Sequence, residues 1–76
     1  MKSLQTYSRV DALIQRKATG TTEALAKRLN ISTRSAFRII REMREDLDAD
    51  IQYCQHAQSY IYATKFSMKE KILEQF

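Results

Sequence analysis

Hydrophobic positions recur along the chain at two spacings, and each spacing predicts one kind of element. Up to about residue 47 they lie three or four positions apart, which is the period of an amphipathic helix. Beyond residue 50 they alternate with polar positions, which is the period of a strand. The pattern predicts helices at residues 3–18, 21–29 and 33–47, and then a two-stranded hairpin at residues 50–63.

The first helix should carry one apolar stripe and stop before the single glycine. The stripe comprises Leu4, Tyr7, Val10, Leu13 and Ile14. Ser3 or Ser8 is the candidate N-cap, because a serine hydroxyl can accept a bond from an unpaired N–H of the first turn. Gly20 is expected to end the helix, since glycine readily adopts the left-handed backbone found at helix ends.

Polar residues mark both ends of the second helix. Thr21 or Thr22 is a candidate N-cap, and Glu23 places a negative charge in the first turn, where the helix dipole favours it. Asn30 should end the helix, because asparagine tolerates left-handed backbone better than most residues. Its buried side is predicted to comprise Leu25, Ala26 and Leu29.

The third helix has one apolar face and one cationic face. Ser32 is its candidate N-cap, and the apolar face comprises Ala36, Ile39, Ile40, Met43 and Leu47. Arg34, Arg38 and Arg41 fall on a different side, and arginine suits both phosphate oxygens and the acceptor edge of guanine. Placing bases before acids opposes the helix dipole, which favours a functional reason for the arginines. Two pairs four residues apart, Arg41–Glu45 and Arg44–Asp48, are a structural alternative.

The hairpin should have aromatic strands and a polar tip. Its strands are marked by Ile51, Tyr53, Tyr60 and Tyr62, and its tip spans residues 55–59. Residues 67–76 begin with a capping-box pattern and predict a short fourth helix. Such a short helix would be unstable alone, so we expect it to pack on something.

Composition narrows the functional classes. The 76 residues suit one domain, residues 1–76, and the net charge of +4 is compatible with a nucleic-acid partner. A single cysteine and a single histidine cannot build a structural zinc site, so we expect no bound metal. The sequence offers no nucleophile–base pair, and we expect neither a cofactor nor enzymatic activity. We find neither a signal-peptide pattern nor a stretch long enough to span a bilayer, and we predict a cytoplasmic protein.

Residues 19–43 carry a family resemblance. The run from Thr19-Gly20 through the Leu25-Ala26 pair and the Leu29–Ser32 turn to the arginine-bearing helix resembles the DNA-binding module of WYL-domain regulators and biotin-ligase-type repressors. Ile51 and residues 60–62 resemble that family's wing strands. Two departures are Asn30, where the family usually has glycine, and a hairpin tip whose only potentially basic side chain is that of His56.

The resemblance implies a mainly α (α+β) fold, the three-helix winged helix-turn-helix, with a C-terminal two-stranded β wing. The short extra C-terminal helix predicted from the pattern of residues 67–76 would be added to that fold. It implies that Thr33, Arg34, Ser35 and Arg38 face the major groove of double-stranded DNA. It also implies phosphate contacts from Thr21, Thr22 and Arg41, with His56 as a possible wing contact. Phe37 either packs in the core or contacts a thymine methyl. Tyr53, Tyr60 and Tyr62 are either wing-root aromatics or platforms for stacked bases.

The expected function is that of a small transcription factor that binds a specific DNA sequence. We expect a homodimer through the first and C-terminal helices, because a single module buries little surface on DNA. We expect no small-molecule effector domain. The alternatives are a winged-helix protein-interaction module that does not bind DNA and a DNA-architectural recombination factor.

Overall fold

The computed structural model describes residues 4–65, in which three helices precede a two-stranded antiparallel sheet. The helices are α1 (Leu4–Gln15), α2 (Thr22–Leu29) and α3 (Thr33–Asp46), and the strands are β1 (Ile51–Cys54) and β2 (Ser59–Tyr62). The fold is therefore mixed α+β. The helix predicted at residues 67–76 lies outside the described residues.

α1 ends earlier than the apolar pattern predicted. Lys17 adopts left-handed backbone with φ 54°, and the N–H of Ala18 donates to the carbonyl of Leu13 at 2.8 Å. This bond closes the last turn in the way a Schellman motif does, with lysine in the position that glycine usually takes. The prediction that Gly20 ends the helix is wrong. Gly20 instead turns the chain into α2 with φ 70°.

The N-cap prediction for α1 is also corrected. Ser8 lies inside the helix, so it is not the N-cap, and Ser3 lies outside the described residues. Leu4, assigned to the apolar stripe, is 44 % exposed, because it occupies the first turn. Tyr7 and Val10 are buried as predicted.

The caps predicted for α2 and α3 are confirmed. The hydroxyl of Thr21 accepts a bond from the N–H of Ala24 at 3.2 Å, and the hydroxyl of Ser32 accepts one from the N–H of Ser35 at 3.1 Å. Asn30 ends α2 in the left-handed conformation, with φ 57° and ψ 48°. The three residues 30–32 thus form a tight turn between two capped helices.

The core lies where the three helices meet the hairpin. Ala26 and Ala36 are buried on α2 and α3, which lets these helices approach closely. The main cluster comprises Tyr7, Val10, Ile14, Leu25, Leu29, Ile40, Met43, Leu47, Ala49, Ile51 and Tyr60. Since both strands contribute to this cluster, the hairpin packs on the helices.

A buried hydroxyl pair holds β2 against the segment that precedes α2. Thr19 and Ser59 are fully buried, and their hydroxyl oxygens lie 3.0 Å apart. The N–H of Tyr60 donates to the hydroxyl of Thr19 at 2.8 Å. Ser59 was assigned to the hairpin tip, but it begins β2 opposite Cys54, so that assignment is wrong.

The chain between α3 and β1 turns sharply without glycine. Asp48 takes left-handed backbone with φ 51°, a conformation that aspartate tolerates better than most residues. The guanidinium of Arg44 donates to the carbonyl of Ile51 at 2.8 Å. This bond ties α3 to the start of β1.

Two tyrosines bind carboxylates across the fold. The hydroxyl of Tyr7 lies 2.9 Å from Asp46 and 3.5 Å from Glu42, and that of Tyr62 lies 2.6 Å from Asp11. The pKa of both phenols is raised. Burial is the largest cause, and the bonds to carboxylates add to it. The acidic end of α3 therefore packs against α1 through Tyr7. Within residues 4–65, no helix is long and apolar enough to cross a membrane.

Candidate nucleic-acid interface

The outer face of α3 is a row of arginines. A groove of about 480 Å³ runs along it, lined by Arg34, Phe37, Arg38, Arg41 and Arg44. All five side chains are exposed, and their spacing of three or four residues places them on one side of the helix. Ala36, Ile40 and Met43 hold the opposite side in the core.

These arginines are only weakly neutralised. Among residues 4–65 the one ion pair is that of Arg38 Nε with Glu42 Oε1, at 3.8 Å, and the Arg38 side chain is 61 % exposed. An exposed pair of this length contributes a few tenths of a kcal/mol, about 0.2–0.5. The pairs predicted four residues apart, Arg41–Glu45 and Arg44–Asp48, do not form within these residues. Arg44 bonds to the β1 backbone instead.

A second groove, of about 410 Å³, opens between α3, the start of α2 and the hairpin. Its lining comprises Thr21, Thr22, Glu23, Thr33, Phe37, Tyr53 and Tyr60. Phe37 lines both grooves, so the two form one continuous surface. We call this surface the α3 face. It brings together all the predicted DNA-contacting residues except Ser35 and His56.

Several hydroxyl groups at or beside the α3 face already have hydrogen-bond partners. The hydroxyls of Thr22 and Tyr60 lie 2.6 Å apart, and that of Thr21 caps α2. Ser35 receives a bond from the hydroxyl of Ser32 at 3.0 Å. These hydrogen bonds hold the hydroxyl groups in place before any ligand binds, so the surface is preorganised.

Phe37 does not take the core position that was one of its two predicted locations. It is 57 % exposed, so it does not belong to the core. The available signal was its position three residues after Arg34 and four before Arg41, in the middle of the polar stripe. An aromatic residue in that stripe should have been assigned to the outer face.

The three hairpin tyrosines have three different environments. Tyr60 is buried, as expected of a wing-root aromatic, whereas Tyr53 is 38 % exposed. Their rings meet edge to face, with centroids 5.2 Å apart and planes at 78°. Tyr62 is half-buried and bonds to Asp11, so its hydroxyl helps to hold the hairpin on α1. Of the three, Tyr53 is the one with substantial ring area open to a ligand.

The residues of the hairpin turn line neither groove of the α3 face. His56 is exposed in the turn at residues 55–58 and lines neither groove. Gln58 takes left-handed backbone there, with φ 50°. Cys54 is a free, half-buried thiol that accepts a bond from the N–H of Ala57 at 3.4 Å. Residues 4–65 contain no group of three histidine, cysteine or carboxylate side chains placed to hold a metal ion.

Comparison of the chain with protein-family models, with curated proteins and with solved structures gives no match. The family resemblance of residues 19–43 therefore rests on the residues that carry it.

Proposed function

We propose that the chain is a winged helix-turn-helix domain that binds double-stranded DNA in a sequence-specific manner. The observation that carries the proposal is the α3 face. Arg34, Arg38 and Arg41 project from one side of α3, and Phe37 joins them to the start of α2. Arginine offers planar, bidentate donors that suit both phosphate oxygens and guanine.

In this proposal α3 enters the major groove. Arg34 and Arg38, with Thr33 and Ser35, meet the base edges near the N-terminal end of the helix, and base contacts supply specificity. Arg41 contacts the phosphate backbone.

Thr21 and Thr22 complete the phosphate contacts at the start of α2. Their backbone N–H groups and the helix dipole favour an anion there. Both residues lie in the groove shared with Phe37, which supports simultaneous contact of α2 and α3 with one duplex. Phosphate contacts set the position of the protein but do not read sequence.

The hairpin is the proposed wing. Arg44 fixes β1 beside α3, and Tyr60 fixes β2 beside Thr22, so the hairpin keeps a constant position relative to the recognition helix. His56 is the proposed contact of the turn with DNA. Because the turn has no lysine or arginine, its contribution to affinity should be small.

We further propose that the protein acts as a small transcription regulator in the cytoplasm. A single module buries about 600–1,000 Å² on DNA, so useful specificity favours a homodimer. The proposed dimer surface comprises α1 and residues 67–76. A two-fold dimer would require a palindromic site.

The test is fluorescence-anisotropy binding to random duplex DNA over a salt series. The Arg34→Ala/Arg38→Ala variant removes two charges from the α3 face. The Arg16→Ala/Arg28→Ala variant is the matched control, because both its arginines are exposed and line neither groove. We expect weaker binding only for the first variant, with the salt slope flatter by about one for each phosphate group that it no longer binds. Failure of the wild type to bind at low salt would contradict the proposal.

A winged-helix protein-interaction module is the alternative from another class. Glu23 in the second groove and the weak Arg38–Glu42 pair are the observations that favour it. In that case the arginines would bind an acidic protein, and duplex DNA would not compete for it. A DNA-architectural recombination factor is a variant of the main proposal, and fluorescence energy transfer across a bound duplex would detect the bending it requires.

A further inference from the structure

The side chain of Phe37 is a large apolar group in the centre of a cationic surface. An exposed hydrophobic residue alone needs no explanation, because most protein surfaces contain apolar atoms. The position of this one does, since Phe37 lines both grooves of the α3 face. Any ligand that spans the two grooves must cover its ring.

The packing of α3 fixes the direction of this ring. Ala36 is fully buried, and Ile40 is 2 % exposed, so the helix cannot rotate about its axis without exposing its core side. Phe37 itself remains 57 % exposed. The ring is therefore presented outward by a rigid element, and its exposure does not depend on a mobile loop.

The charges around Phe37 restrict the class of ligand. Arg34, Arg38 and Arg41 lie three, one and four residues away on the same helix, and they line one groove with it. A polyanion complements these charges, and the polyanion must offer an apolar group among its polar ones. In the major groove of DNA that apolar group is the C5-methyl of thymine.

We propose that Phe37 is a specificity-determining residue that contacts a thymine methyl next to the bases met by Arg34 and Arg38. This inference rests on the proposed DNA-binding function and adds to it. It predicts that the binding site contains a thymine next to the guanines that arginine prefers. The contact is made by burial of apolar surface and needs no hydrogen bond.

Replacing thymine by deoxyuridine tests the contact, because it removes the methyl and keeps the base-pairing edge. Sequences bound by the wild type are first selected from a random duplex pool at low salt. The bound sequences are then synthesised with thymine or with deoxyuridine at every thymine position. For each methyl contacted, we expect the deoxyuridine duplex to bind the wild type about fourfold more weakly, the effect of exposing one methyl-sized group.

The variant Phe37→Ala should bind the two duplexes equally, because it lacks the ring that senses the methyl. Arg28→Ala is the matched control, since Arg28 is also a large exposed side chain, lies on α2 and lines neither groove. It should keep the full preference for thymine. A thermal melt of each variant checks that the fold is retained, as expected for a residue so exposed.

Each failure of the test has a separate meaning. Equal binding of the thymine and deoxyuridine duplexes by the wild type overturns the role of Phe37 and leaves DNA binding standing. A preference for thymine that persists in Phe37→Ala also overturns it, because another group must then sense the methyl. Absence of duplex binding at low salt overturns the proposed function and this inference with it, and indicates an acidic protein as the occupant of the α3 face.

Discussion

The buried hydroxyl of Thr19 should stabilise the fold more than its methyl group does. Thr19→Val keeps the shape of the side chain but removes the oxygen. That oxygen accepts the N–H of Tyr60 at 2.8 Å and donates to the carbonyl of Gly20 at 2.9 Å. Thr19→Ser keeps the oxygen and removes the methyl. The two variants therefore separate hydrogen bonding from packing at one position.

The expected magnitudes follow from the burial of this site. Thr19 is fully buried and Tyr60 is 5 % exposed, so water cannot easily replace the missing acceptor. An unsatisfied buried donor costs about 1–3 kcal/mol, and loss of the second bond adds about 1 kcal/mol. Thr19→Val should thus lower the free energy of unfolding by about 2–4 kcal/mol. Thr19→Ser should lower it by about 0.5–1.5 kcal/mol, as for the removal of one buried methyl.

Urea unfolding followed by circular dichroism measures both variants. A domain of this size is stable by only about 4–11 kcal/mol, so the predicted loss in Thr19→Val moves the midpoint clearly. Thr19→Val should be the less stable variant, although it is the better match in volume. If Thr19→Val equals or exceeds Thr19→Ser in stability, the hydroxyl network does not hold β2 as described.

Three further predictions concern stability. Gly20→Ala should destabilise the protein by about 1–3 kcal/mol, since the new Cβ would lie 2.9 Å from that of Ala24 at a left-handed φ; thermal melting measures this, and an unchanged melt would contradict it. Lys17→Gly should stabilise it by about 0.5–1 kcal/mol, because the left-handed backbone costs lysine more than glycine; a lower melting temperature would refute the assignment of the helix end. Tyr62→Phe should lower the free energy of unfolding by about 1.5–3 kcal/mol at neutral pH, because it removes the hydrogen bond to the Asp11 carboxylate. The pKa of Tyr62 is raised in the folded state, so its contribution is complete below about pH 10 and is lost as the pH rises above that value; urea unfolding at several pH values should show a shallower alkaline decline in Tyr62→Phe.

Local chemistry explains which parts of the fold could be predicted. Thr21, Ser32 and Asn30 mark helix ends through bonds and backbone preferences that involve residues at most four positions away. Helical periodicity likewise identified the buried sides of α2 and α3. These features depend on neighbours in sequence, so the sequence alone contains the necessary information.

The features that escaped prediction depend on tertiary context or on unusual residues. Thr19 and Ser59 lie 40 positions apart, and nothing in the local sequence of either indicates a partner. Lys17 ends α1 in a conformation that lysine rarely adopts, so no residue-type signal was present. For the candidate site, spacing placed Arg34 and Phe37 on one helix, but the extent of Phe37 exposure depends on how α3 packs.

DNA binding by the α3 face can be tested directly by mapping backbone amide chemical shifts while duplex DNA is added to the ¹⁵N-labelled protein at low salt. We expect the largest changes at residues 21–23 and 32–41, which include most residues of the α3 face. Amides around Arg9, Arg16 and Arg28 should change little, although these residues are equally charged. Changes concentrated around those three arginines, or no changes at all, would contradict the proposal that the α3 face binds DNA.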